Sequence, residues 1–291
     1  MKKLTRVLSG VLAGLMVLGL AACGGTSAAP TAATAAPATT AAAPAEDTTA
    51  AAALDADVQA IVDRGVLRVG VKNAVLGFGY QDPITGEYSG MEIDLANALA
   101  AQLGVDVEFT TVTAATRTEL LDSGDIDCVL ATFTITEERK QSWDFTTPYY
   151  TDHVTVLVED ASGIKTLADL KDKLVGVSSG STSARALTAA MIDAGVIDGA
   201  GFDKETFDAA TWKDGISFQQ FDDYPGISTA LAAGQVDAFC VDKSILAVYK
   251  TDGRSYIADE FAPQEYGIAT KKDSGFSTYC EDFIQAKLAD G

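Results

Sequence analysis

The chain has 291 residues, a hydrophobic fraction of 47% and a formal net charge of −20. That length and apolar content suffice for a buried core and for two lobes of ordinary domain size. So acidic a surface argues against nucleic acid and against anionic lipid as partners.

Lys2, Lys3 and Arg6 make a positive start, and 7–20 is an uncharged, mostly apolar run. The run falls short of the roughly 20 apolar residues that span a bilayer. A charged start, a short apolar middle and small residues at its end describe a signal peptide, residues 1–22. Leu20-Ala21-Ala22-Cys23 resembles a bacterial lipobox, so Cys23 is expected to be acylated and to become the first mature residue. Residues 23–53 are then a lipid-anchored linker of mostly Ala, Thr, Pro and Ser. Such a segment has little to bury and reads as a disordered tether. Its end-to-end reach is roughly 30 Å.

From Leu54 onward, short apolar runs alternate with helical patterns. Residues 66–71 read as a strand. Met91, Leu95, Ala98, Leu99 and Leu103 recur at helical spacing, with Gly104 as the C-cap. Residues 105–112 read as a strand, 118–123 as a short helix stopped by Gly124, and 126–131 as the next strand. A helix over 137–142 follows Thr136 as its N-cap. The alternation implies an α/β fold with mainly parallel sheets covered on both faces. Cys128, Cys240 and Cys280 are read as buried thiols, because free cysteine packs as a small hydrophobe. No pair has the close spacing of a zinc site.

An internal echo gives the organisation. Leu121-Asp122-Ser123-Gly124-Asp125-Ile126-Asp127-Cys128 is matched, at a constant offset, by Leu231-Ala232-Ala233-Gly234-Gln235-Val236-Asp237-Ala238. Each is a helix end, a glycine stop and a buried strand opened by aspartate. Two lobes of similar build follow, 54–154 with 263–291 and 155–262. Ligands of open α/β sheets sit beyond the carboxyl ends of the strands. Those ends deliver Thr132 in one lobe and Asp242 in the other, on facing walls of one cleft. Connections at 151–158 and 266–271 are expected to serve as the hinge.

Enzyme chemistry has little to stand on. Gly176-Val177-Ser178-Ser179-Gly180 fits the G-x-S-x-G elbow, but the single histidine, His153, precedes it, whereas hydrolases run Ser, acid, His. The better reading is a small turn leading into a helix at 181–185, whose free N–H groups favour an anion. Gly77-Phe78-Gly79 lacks the third glycine of a dinucleotide fingerprint. No catalytic residue, metal or cofactor is implied.

Gly90-Met91-Glu92-Ile93-Asp94-Leu95, the run from Ala131 through Thr134 to Arg139, and Asp144-Phe145-Thr146-Thr147-Pro148-Tyr149-Tyr150 resemble motifs of family 3 solute-binding proteins, which serve polar amino-acid ABC importers. Asp223-Tyr224-Pro225, Val236-Asp237-Ala238-Phe239, Val241-Asp242-Lys243-Ser244 and Tyr266-Gly267-Ile268 fit as well. Ala115-Thr116-Arg117 and Asp242-Lys243-Ser244 look most like the aspartate- and glutamate-binding members. The resemblance implies a two-lobed periplasmic-binding-protein-like fold, with two mainly parallel sheets joined by a two-strand hinge. It implies a monomeric, extracytoplasmic lipoprotein that hands its amino acid to the membrane subunits of an ABC permease. Arg139 would hold the ligand α-carboxylate as a bidentate fork. Thr132 and Thr134 would add hydrogen bonds, the helix start at Thr182 an N–H, and Asp242 would accept from the α-ammonium. Arg117, Lys72 and Tyr224 would surround a side-chain carboxylate.

Charge favours an acidic ligand. Arg139 and Asp242 match a zwitterion, and Arg117, with or without Lys72, is then a surplus cation. An unmatched cation in a water-poor site is costly, and a second ligand carboxylate resolves that. Another polar amino acid, glutamine or cystine, is the alternative. A dehydratase-like enzyme on the same fold would need a catalytic carboxylate, and none but Asp242 stands out. Three stretches depart from the family pattern. Residues 73–79 do not follow it. Residues 193–215 are longer than usual, with Phe202, Phe207 and Trp212 expected to pack inward. Family members commonly continue past the point where this chain stops, through another short helix of the first lobe.

Overall fold

The computed structural model describes residues 53–290. The expected signal peptide, Cys23 and most of the expected linker lie outside the described residues. The first lobe is built on the strand Val66–Val71, which runs parallel to Asp106–Thr111 on one side and Cys128–Leu130 on the other. Ala269–Lys271 and Trp143–Phe145 complete this five-stranded sheet as antiparallel strands. Ala56–Arg64, Met91–Leu103 and Gly275–Asp290 bury Ile61, Leu99, Phe276 and Phe283 against Leu67, Val69 and Leu130 on one face. Arg117–Ser123 packs Leu121 with Ile126, Val129 and Phe133 on the other.

The second lobe repeats the plan. Leu174–Ser178 lies parallel to Ser217–Phe221 and Ala238–Asp242, and Tyr150–Glu159 runs antiparallel to the last of these. Arg254–Tyr256 and Phe261–Tyr266 both pair with Tyr150–Glu159 to finish a six-stranded sheet. Both sheets are therefore mixed, where mainly parallel ones were expected. The parallel pairs come from strand–helix–strand units. The strands that carry the chain between lobes have no crossover helix and enter against the parallel set.

Two passages join the lobes. The chain leaves the first sheet at Phe145 and enters the second at Tyr150, then returns between Tyr266 and Ala269. The passages lie side by side, with Tyr149 N–H donating to Tyr266 O at 2.9 Å and Thr146 N–H to Ile268 O at 3.0 Å. The first passage thus precedes the 151–158 stretch read as a hinge strand. That stretch is apolar because Val154, Val156, Leu157 and Val158 are buried inside the second lobe.

Local readings shift in two places. The helix expected over 137–142 is a single 3-10 turn, Arg139–Gln141. Thr136 Oγ1 does accept the Arg139 N–H at 3.1 Å, but the strand Trp143–Phe145 begins at once and leaves no room for a second turn. In Met91–Leu103 the buried stripe is Glu92, Ile93, Ala96, Leu99, Ala100 and Leu103, so Leu95 and Ala98 sit at its margin. Gly104 closes the helix at φ 72°, as the C-cap reading requires. Phe202, Phe207 and Trp212 form an aromatic cluster on Phe218 and are half-buried.

The echo has a concrete cause. Asp127 Oδ2 accepts the N–H of Arg68 at 2.8 Å, and Asp127 N–H donates to Arg68 O at 2.8 Å. Asp237 does the same to Leu174, with 2.8 Å for both bonds. In each lobe one aspartate extends the parallel ladder by a side-chain bond at the point where the incoming strand has no backbone partner. Asp127 also pairs with Arg64 and Arg68. Asp237→Ala should cost about 1 kcal/mol in urea denaturation, and Asp127→Ala about 1–2 kcal/mol, the excess coming from two partly exposed guanidiniums that lose their partner.

Candidate ligand-binding cleft

Thr132 lies just beyond the strand Cys128–Leu130, and Asp242 ends Ala238–Asp242. With Arg117, Thr134, Thr182 and Tyr224 they line one cavity where the lobes meet. Its volume is about 10 Å³, room for no more than about one water. An amino acid therefore enters only when the lobes part. A cavity of about 390 Å³ adjoins it, sharing Ala114, Ser181 and Thr182 and walled by Arg139, Gly180, Arg185 and Phe207 of the excursion. Lys72 stands at the end of Val66–Val71, with Nζ 5.4 Å from the centre of the Tyr224 ring. The structure thus gathers Arg117, Thr132, Thr134, Thr182, Tyr224 and Asp242 around one cavity, with Lys72 and Arg139 at its edges.

Three cations face this region. Arg117, which opens the helix Arg117–Ser123, is 2% exposed. Its Nη1 donates to Ala131 O at 3.0 Å and to Thr132 O at 3.3 Å, and its Nε has no partner among the described residues. Burial pulls its pKa down to about 10, so it stays charged at neutral pH. Arg139 is half-buried. It donates from Nη1 to Thr134 O at 2.7 Å and from Nη2 across the cleft to Gly180 O at 3.0 Å. Phe133 carries both guanidiniums, at 3.8 Å for Arg117 and 4.7 Å for Arg139. Lys72 is buried, and its pKa is driven well down, by desolvation first and then by repulsion from Arg117. Among the described residues none of the three forms an ion pair.

Several residues of the cleft were given no role by the sequence. Gln264 is buried on the returning strand Phe261–Tyr266, and its Oε1 accepts from Thr134 Oγ1 at 2.9 Å and from Thr182 Oγ1 at 2.8 Å. It thus joins hydroxyls of opposite lobes. The only sequence signal was its alternation with buried Tyr266 on one face of a strand. Tyr266 donates its hydroxyl to Asp242. Glu92 is wholly buried, and accepts from Thr132 N–H and Tyr149 O–H, each at 2.6 Å. At the rim, Arg185 Nη1 bonds Glu138 across the lobes at 2.7 Å and Lys204 O of the excursion at 3.0 Å. The elbow serine, Ser178, is buried, and His153 is exposed.

Two α/β lobes on a paired-strand hinge, closing on a polar and water-poor cleft, define a solute-binding protein. The chain belongs to the bacterial extracellular solute-binding proteins, family 3, whose pattern it matches over residues 67–250. It is 33% identical to the glutamine-binding protein of Geobacillus stearothermophilus, over 77% of this chain and 79% of that one. It is 30% identical to the glutamate-binding protein GluB of Corynebacterium glutamicum, over 79% and 75%. Among solved structures, an ancestral arginine-binding protein bound to arginine is similar, with a TM-score of 0.65 and 33% identity over 78% of this chain and 94% of that one.

The Asp242 carboxyl couples the stability of the fold to pH. Burial raises its pKa from 3.8 to about 7, with Asp152 adding repulsion and Tyr266, Arg117 and Arg139 opposing. A raised carboxyl pKa favours the folded state in the protonated form. That contribution is complete below pH 4 and is lost as pH rises through 7. At pH 8 the ligand-free Asp242→Asn protein should therefore be more stable than wild type, by up to about 4 kcal/mol in urea denaturation. The same substitution should abolish amino-acid binding in calorimetry.

Proposed function

We propose that this protein captures glutamate or aspartate outside the cytoplasmic membrane and delivers it to an ABC importer. The observation that carries this reading is that Arg117 lines the central cavity, with Lys72 and Arg139 on the cavities beside it, and none of the three has an ion-paired partner among the described residues. Arg139 takes the α-carboxylate, aided by Thr134 and the helix start at Thr182. Asp242, ionised, accepts from the α-ammonium. Arg117 takes the side-chain carboxylate, with Lys72, Tyr224 and Thr132 around it. A ligand carboxylate gives the Arg117 guanidinium the counter-charge it lacks, in a setting where a missing one is costly. Opening of the paired passages admits the ligand, and closure removes it from water.

The two arginines should fail differently. Arg139→Ala should weaken every amino acid by roughly 2–5 kcal/mol, because all of them carry the α-carboxylate. Arg117→Gln should weaken glutamate and aspartate strongly while leaving glutamine unchanged or improved. Calorimetric titration of wild type and both variants with glutamate and glutamine reads the contrast. Equal losses for acid and amide in Arg117→Gln would show that the arginine is scaffolding.

Anchoring rests on the position of Cys23 at the end of the apolar run. Cys23→Ala should move the protein from the detergent phase to the aqueous phase in two-phase partitioning, or leave it unprocessed. Ligand affinity should not change.

A further inference from the structure

Glu92 is 0% exposed, and none of the roles above uses it. Its Oε1 accepts from Thr132 N–H and Tyr149 O–H, while its Oε2 has no partner among the described residues. A bare carboxylate oxygen in a protein interior is costly unless charge nearby supports it. The cations that face Glu92 are Lys72, from the end of Val66–Val71, and Arg117, from the helix Arg117–Ser123. Thr132 has φ 45°, a left-handed conformation that residues with a side chain seldom adopt. Glu92 holds that turn by its N–H, and Arg117 holds it by the carbonyls of Ala131 and Thr132.

We propose that Glu92 is a specificity-determining and positioning residue, whose charge cancels one of the cleft cations and whose bond to Thr132 aims Arg117. This rests on the acidic-ligand reading and sharpens it. Of three cations, one answers the α-carboxylate and Glu92 offsets another. The site is then matched to a ligand with one side-chain carboxylate. Burial raises the Glu92 pKa, against the opposing pull of Tyr149, Thr132, Lys72 and Arg117. Glu92 therefore takes up its proton at a higher pH than an exposed glutamate.

The test is calorimetry with glutamate and glutamine on wild type, Glu92→Gln and Glu92→Leu, between pH 8 and pH 5.5. Selectivity is read as the ratio of the glutamine Kd to the glutamate Kd. The ratio cancels Asp242, which faces the ammonium that both ligands carry. Glu92→Gln keeps an acceptor for Thr132 and Tyr149, removes the charge, and should raise the ratio at pH 8 by about tenfold or more. In wild type the ratio should climb as pH falls, and its gap to the variant's value should narrow as Glu92 takes up its proton, whatever Lys72 contributes to both. The climb needs no mutant to fold. Glu92→Leu should weaken both ligands, and Glu92→Gln should not. A ratio that is the same in wild type and Glu92→Gln, and independent of pH in wild type, overturns the proposal. A wild type that prefers glutamine, with the ratio still shifting toward glutamate in Glu92→Gln, overturns the acidic-ligand reading alone. A wild type that binds neither overturns both.

Discussion

Cations taken out of water need counter-charge, and the cleft withholds it. Arg117 lies under its own strand-end carbonyls and over Phe133, with an unpartnered Nε. Backbone carbonyls and a ring face solvate a guanidinium only in part. What surrounds it is arranged around that deficit. Thr132 adopts a left-handed turn that brings two carbonyls to it, and Glu92 sits on the far side of the same turn. Asp242 is held near the cations yet not against them, and its bond is to a tyrosine. Arg117 Nε and Glu92 Oε2 each lack a hydrogen-bond partner among the described residues.

The architecture was readable where residues act through periodicity or through a stop signal. Val66–Val71, Met91–Leu103 and the glycine stops at Gly104, Gly124 and Gly234 follow from local pattern alone. The repeated Leu-to-Asp segment also pointed to paired lobes, because Asp127 and Asp237 perform one physical task in each. The strands that change lobe were harder. A strand such as Tyr150–Glu159 looks the same in sequence whether it crosses a hinge or lies in a core, and only its pairing along the second sheet decides.

The cleft divides in the same way. Arg117, Thr132, Thr134, Thr182, Tyr224 and Asp242 line one cavity, and Lys72 and Arg139 line the ones beside it, because topology brings these segments to the face between the lobes. Gln264 and Glu92 escaped notice for opposite reasons. Gln264 is a lone polar residue on a strand, and its partners Thr134 and Thr182 are far away in sequence. Glu92 lies within a motif, but no role was drawn from it there. Its burial is visible only once the apolar stripe of its helix is set by Ile93, Ala96 and Leu99 instead of Leu95 and Ala98.

The lobes also hold each other directly. Thr134 and Thr182 share Gln264 Oε1, Arg139 reaches Gly180 O, and Glu138 meets Arg185, itself tethered to Lys204. All of these bonds are protein to protein, so closure has a free energy of its own before any solute arrives. On the proposed reading, the incoming solute exchanges the bond of Arg139 to Gly180 for one to itself. Its measured affinity is therefore a difference between two sets of contacts, and a poor ligand is one that merely replaces what the lobes already do for each other. The bonds between the lobes and the bonds to the solute then act together in setting how long the joined shape lasts.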